Sequence, residues 1–160
     1  MASLIVRPAT LRDATHLAAF VDMAGEGMAS HFWSGMAEPG QSPFEVGRAR
    51  AMRDAGSFSW RNAHIAELDG EGVGALVGYT IPEPDRDEIA GMPDIVRPLG
   101  ELEAEAPGFW YVNVLATYPE HRGKGVGSAL LAKADAIGRT QAPAGMAIIV
   151  SSENVGAVRL

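Results

Sequence analysis

Three glycines at every second position, Gly123, Gly125 and Gly127, join two segments of different period. Before them runs Trp110-Tyr-Val-Asn-Val-Leu-Ala116, with strong β propensity; after them Val126, Leu130, Leu131, Ala134 and Ile137 recur at helical spacing. The join itself reads Thr117-Tyr-Pro-Glu-His-Arg-Gly-Lys-Gly-Val-Gly-Ser128. Glycines let a backbone approach a ligand closely, and the free N–H groups of a helix's first turn point outward with the positive end of its dipole behind them. Arg122 and Lys124 add mobile positive charge, and the small Ser128 leaves room beside an anion. The expectation is an α/β chain whose strand–loop–helix unit holds a pyrophosphate or another anion.

Two familiar phosphate loops fail on spacing. A Walker A loop needs a hydroxyl residue after its lysine, whereas Lys124 is followed by Gly125. A dinucleotide fingerprint needs Gly-x-Gly-x-x-Gly, and no acid stands near position 143 to hold a ribose.

The rest of the chain supplies an order of elements. Leu4 to Val6 is a short β-prone run, and Thr10 then precedes a helix expected from near Leu11, with Leu11, Ala14, Leu17, Ala18 and Val21 on one stripe and Gly25 and Gly27 as a stop. Ser42-Pro43-Phe44-Glu45 signals a second helix reaching about Asp54, and the glycine-rich stretch between the two is expected to be irregular. Ala63 to Leu68, a turn through Asp69-Gly70-Glu71-Gly72, and Val73 to Ile81 read as an antiparallel hairpin. Pro82 to Gly108 breaks the pattern with five prolines, with a short helix expected within Ile95 to Ala106. Met146 to Val150 reads as a strand covered on both faces, and a last helix opens at Asn154.

In this order of elements, the run Tyr118-Pro-Glu-His-Arg-Gly-Lys-Gly-Val-Gly-Ser-Ala-Leu-Leu131, with its Arg-x-x-Gly-x-Gly core at Arg122–Gly127, resembles the acetyl-coenzyme A (acetyl-CoA) signature of the Gcn5-related N-acetyltransferase (GNAT) superfamily. The resemblance implies a single N-acetyltransferase domain over residues 1–160, of mixed α/β fold, with 82–108 as an acidic insertion between the third and fourth strands. It implies acetyl-CoA as co-substrate, with the backbone of Leu115, Ala116 and Thr117 binding the pantetheine arm and the amides of Arg122, Gly123, Lys124, Gly125, Val126, Gly127 and Ser128 holding the pyrophosphate. Thr117 stands where an apolar β-branched residue is more usual. Asn154 matches the asparagine of the family's Asn-x-x-Ala-x-x-Leu-Tyr helix, which contacts the coenzyme.

The sequence ends at Leu160, where the family's tyrosine, the general acid for the leaving thiolate, would follow. The sixth and seventh strands of the family's sheet are likewise not in this sequence. The expectation is a chain cut short, or a sheet completed by a second subunit as in a homodimer. The corresponding alternative function is a catalytically inactive or partner-completed CoA-binding module.

With no cysteine and no Gly-x-Ser-x-Gly elbow, direct attack of an amine in a ternary complex is expected rather than a covalent relay. Strand alternation places Tyr111 and Asn113 on the same face as Leu115, and the family resemblance makes Tyr111 a candidate base; a water passed to Glu103 or Glu105 is the other candidate. No histidine spacing suggests a metal site. Phe32 and Trp33 lie where the family builds acceptor pockets.

The formal charge of -7 argues against a nucleic-acid partner, and its distribution is uneven. Residues 82–108 carry eight acids against two bases, a local -6, so nearly all of the -7 sits in one segment. That segment either draws in a cationic small-molecule or peptide amine or merely keeps the protein soluble. An early charge and proline argue against a signal peptide, and no apolar run approaches the ~20 residues of a membrane span, so the expected location is cytoplasmic, with no membrane partner.

Overall fold

A computed structural model describes residues 2–160. Five strands form one sheet in the order β1-β2-β3-β4-β5: β1 (Leu4–Pro8), β2 (Ala63–Leu68), β3 (Glu71–Thr80), β4 (Trp110–Thr117) and β5 (Met146–Ile148). The first four are antiparallel neighbours, and β5 joins β4 in parallel. Helices α1 (Ala14–Ala24) and α3 (Pro43–Ala51) cover one face, burying Leu17, Phe20 and Ala51 against Ile65, Val77, Val114 and Ala116. The other face takes α6 (Val126–Gln141), whose Val126, Leu130 and Ala134 pack on Ala66, Leu76, Trp110 and Val112. The chain turns Asp69 and Gly70 into the left-handed region (φ 53° and 87°), the Asp-Gly hairpin geometry that sets the register of β2 on β3.

Several local expectations are corrected. The stretch after Gly27 is not irregular but forms α2 (Met28–Met36), because Gly27 at φ 88° lets the chain turn into a helix whose Trp33 is buried. Trp33 lies so close over Gly47 of α3 that a Cβ there would collide with the indole. The first helix starts as a 3-10 turn, Leu11–Asp13, which leaves Leu11 exposed. Strand β5 spans three residues and ends with Ile148 half exposed, so it is not a strand covered on both faces. Within 82–108 the structure has two helices, α4 (Arg86–Ala90) and α5 (Arg97–Glu103), where one was expected. A last helix, α7 (Val155–Val158), follows Asn154.

An ion-pair cluster ties β1 to β2 and to the first turn. Arg7 donates to both Asp13 oxygens at 2.9 Å and to Glu67 Oε1 at 2.7 Å. Burial works to raise the Asp13 pKa, but the Arg7 guanidinium and the Thr10 N–H and hydroxyl outweigh it and hold the carboxyl below its ordinary value. Asp13→Asn is expected to lower stability by about 1–3 kcal/mol near neutral pH, measured as a fall in the thermal midpoint. A carboxylate with a depressed folded-state pKa contributes fully above its unfolded value, about 3.9, and loses that contribution as pH falls through the folded one, so the gap between the two proteins should shrink progressively as the solution is acidified below that unfolded value. A gap that stays constant throughout acid titration would contradict the pairing.

Candidate functional site

The site is built along β4. Its pairing with β3 runs the whole strand and shifts register between Val77 and Gly78, where Val77 faces Val114 and Gly78 faces Val112. Asn113 is therefore the extra residue of a β-bulge, and it is exposed. Pairing with β5 covers only Trp110, Tyr111 and Val112. From Asn113 to Thr117 the β5-facing edge of β4 has no strand beside it, and the two strands form a fork.

The bulge also reverses the alternation of side chains. Trp110, Val112 and Leu115 join the α6 cluster, whereas Val114 and Ala116 join the α1 cluster. Tyr111, between Trp110 and Val112, thus points to the α1 side, opposite Leu115. The expectation that Tyr111 shares a face with Leu115 is corrected: it assumed an unbroken period of two, and the extra residue shifts that period by one.

Beyond Thr117 the loop closes over the start of α6. Gly123 and Gly125 take φ of 73° and 82°, and the space where their Cβ atoms would stand is open. Gly125 caps α6 without a side chain, so the first-turn N–H groups of Val126, Gly127 and Ser128 face outward unpartnered. Gly74 of β3 lets α6 approach: a Cβ there would lie 2.9 Å from both the Ala116 carbonyl and Val126 Cγ1. Arg122 Nε donates to the Thr117 carbonyl at 3.2 Å, and its Nη2 lies 3.7 Å from Met23 Sδ of α1. Lys124 is exposed. Asn154 caps α7, accepting from the Ala157 N–H at 3.1 Å, which leaves its Nδ2 free to donate. Helix α7 ends beside this loop, where Leu160 Cδ2 would lie 3.2 Å from a Cβ on Gly127. The structure therefore gathers Leu115–Thr117, Arg122–Ser128 and the helix of Asn154 at one end of β4, and this open cradle of amides and glycines fits a pyrophosphate with an extended arm along the free β4 edge.

At the other end stand Tyr111 and a partner that sequence reasoning missed, Tyr79 of β3, directly across the ladder. The rings meet edge to face, centroids 5.7 Å apart, and the Tyr79 hydroxyl donates to Glu103 Oε1 of α5 at 2.7 Å. Burial first, then the nearby Glu103 charge, pushes Tyr111 up to about 12. Tyr79 is raised further, by burial and then by its hydrogen bond to Glu103. Nothing local in the sequence links Tyr79 to Tyr111, because the register of β3 on β4 is established across the whole insertion. The insertion leaves and rejoins the sheet at one point: Ile81 N–H donates to the Phe109 carbonyl at 2.8 Å, and Gly108 N–H to the Ile81 carbonyl at 2.9 Å. Glu105 is exposed and lines a separate cleft with Arg86, Arg97 and Glu101. Among the described residues no group of three or more metal-ligating side chains converges, and no helix is long and apolar enough to cross a membrane.

A mixed sheet forked at its fourth strand, with a glycine-rich anion cradle at the fork's open side, defines an acyl-CoA transferase architecture. The acetyltransferase (GNAT) family model matches residues 28–160, and the chain belongs to that family of acetyl-CoA-dependent N-acetyltransferases. Among solved structures, an N-acetyltransferase from Staphylococcus aureus Mu50 superposes with a TM-score of 0.70 at 14% identity, over 97% of this chain and 86% of that one. An aminoglycoside N-acetyltransferase, AAC(6')-Iy in complex with CoA, gives 0.59 at 16% identity over 99% and 84%. A ribosomal-protein-alanine N-acetyltransferase from Brucella melitensis gives 0.55 at 17% over 99% and 87%. At these identities the likeness is one of fold. No curated protein sequence matches the chain.

Two outcomes test this geometry. All three tyrosines, Tyr79, Tyr111 and Tyr118, are held above their ordinary value, so the folded protein should show less phenolate absorbance at about pH 10 than the unfolded chain, which shows about half of its full signal. An early phenolate signal from the folded protein would place the rings in solvent. Gly125→Val should abolish the rise in thermal midpoint produced by CoA, since a β-branched side chain strains φ of 82° and fills the open cradle. An undiminished rise would place the coenzyme elsewhere.

Proposed function

We propose that the protein transfers the acetyl group of acetyl-CoA directly to the primary amine of a small cationic acceptor, and that residues 1–160 act as one catalytic domain. The observation that carries the acceptor class is the position of Glu103, held by Tyr79 beside the fork at the end of β4 away from the phosphate cradle. The -6 insertion leaves and rejoins the sheet at that end, so a cation approaching it gains electrostatic attraction, and aminoglycoside acceptors of structural neighbours are cations of this kind.

In this reading the amides of Arg122 to Ser128 and the Nδ2 of Asn154 hold the pyrophosphate, and the free edge at Leu115, Ala116 and Thr117 holds the pantetheine arm. Bound acetyl-CoA supplies an activated acyl carbon and a thiolate leaving group. The β4 amides past the bulge donate to the thioester carbonyl, and the exposed Asn113 amide orients the acceptor at the mouth of the fork. Glu103 takes the amine's proton, through a water, as the C–N bond forms and the C–S bond breaks; the sulfur leaves as thiolate and takes a proton from water, to which Glu103 returns its own. Tyr111, pushed up to about 12, keeps its proton at neutral pH and acts as a hydrogen-bond donor rather than a base.

Thiol release from acetyl-CoA with polyamines, aminoglycosides, amino acids and N-terminal peptides tests the reading. Multiply charged amines are expected to give the largest kcat/KM, falling as salt rises from low to physiological concentration. Glu103→Gln should lower kcat by about 100-fold or more. A preference for neutral or acidic acceptors, or a salt-independent kcat/KM, would overturn the acceptor class.

A further inference from the structure

Tyr79 has no part in the transfer described above, yet it makes the one side-chain hydrogen bond, among the described residues, that joins the sheet to the interior of the 82–107 insertion. Among the described residues the other hydrogen bonds and ion pairs of this segment lie at its stem or within itself: the Ile81 and Phe109 backbone pair, the Asp85 cap of α4, and the Arg97 contacts with Met92 and Asp94. Helix α5 has seven residues with Pro98 in its first turn, and Glu103 is its last residue. A glutamate there has several rotamers to choose from, and ordering it has an entropic cost that one well-anchored partner can offset.

Tyr79 is such an anchor. It lies in β3, paired with Tyr111 of β4, and its ring is braced edge to face on the Tyr111 ring. Its phenol keeps its proton throughout the neutral range, so it can only donate to the carboxylate, and that donation engages Oε1 while leaving Oε2 free. From the sheet, Tyr79 of β3 donates to this carboxylate and Tyr111 of β4 lies near enough to feel its charge. On the other side of α5, Arg86 of α4 lines a cleft of about 530 Å³ with Arg97, Glu101 and Glu105, and Glu103 is not part of that lining. The carboxylate is thus turned from its acidic neighbours toward the sheet.

We propose that Tyr79 is a positioning residue for acetyl transfer: its hydroxyl holds Glu103 Oε1 so that Oε2 is presented to the acceptor amine at the fork. This rests on the assignment of Glu103 as the proton acceptor. Tyr79 touches neither donor nor acceptor and acts only through Glu103.

The test compares Tyr79→Phe and Glu103→Gln with the unaltered full chain, using acetyl-CoA and the fastest amine of the panel. Tyr79→Phe keeps the ring and its packing and removes only the hydroxyl. It is expected to lower kcat about tenfold with KM for acetyl-CoA unchanged. In the Glu103→Gln background the same change should cost nothing further, because a residue that acts only through the carboxylate has nothing left to position. If Glu103→Gln leaves kcat as it was, the assignment of Glu103 fails and the positioning role fails with it. If Glu103→Gln lowers kcat as expected but Tyr79→Phe leaves kcat unchanged, or lowers it equally in both backgrounds, the positioning role alone is overturned. Partial unfolding caused by Tyr79→Phe would lower the rate in both backgrounds, so the double variant decides the matter even for a less stable protein.

Discussion

Everything in this molecule turns on one strand that is hydrogen-bonded along its whole length on one side and for only three residues on the other. Backbone N–H and C=O groups away from water demand partners, and in a sheet the neighbouring strand normally supplies them. In β4 the pairing with β5 stops at Val112, next to the extra residue Asn113, and the edge from Asn113 to Thr117 has no strand beside it. A flexible acyl carrier with amides of its own is a natural complement to such an edge, which becomes in effect a strand partner delivered with the substrate. The same extra residue puts Tyr111 and Leu115 on opposite faces of the sheet, Tyr111 toward α1 and Leu115 toward α6.

The charge distribution divides along the same strand. At the Thr117 end stand Arg122, Lys124 and the bare amides of α6; at the Trp110 end, roughly 23 Å away along eight extended residues, begins the segment that carries almost all of the net negative charge. Opposite charges thus lie at the two ends of one strand, which is the arrangement the proposed reaction between a phosphate-bearing donor and an ammonium-bearing acceptor would use. The bulk figure of -7 hides this separation, because the basic cradle is small and the acidic insertion large.

Local chemistry accounts for what was legible in the sequence. The glycine spacing, the helical stripe after it and the Asp-Gly turn each reflect backbone conformations that few residues can adopt, so the strand–loop–helix unit, the hairpin and the family could be read directly. Helix α2 could not, because its reason for existing is the fit of Trp33 over Gly47, a contact between residues that only the fold brings together. The bulge was equally hidden: Asn113 sits in a run of ordinary β-formers, and nothing in that run says which residue is surplus. Tyr79 and Glu103 were out of reach for a related reason, since their meeting depends on how an insertion folds back over a register that it itself interrupts. The shortness of β5 reflects the fork, not its apolar composition.

The stem of that insertion has a consequence for how proteins of this shape diversify. Two hydrogen bonds between Ile81 and its partners Gly108 and Phe109 close the excursion before it begins, so the sheet's third and fourth strands stay in register whatever lies between them. The sheet and the segment it carries are then joined like a handle and a blade. What the sheet requires of the segment between residues 81 and 109 is the clasp at its base, not its length or charge.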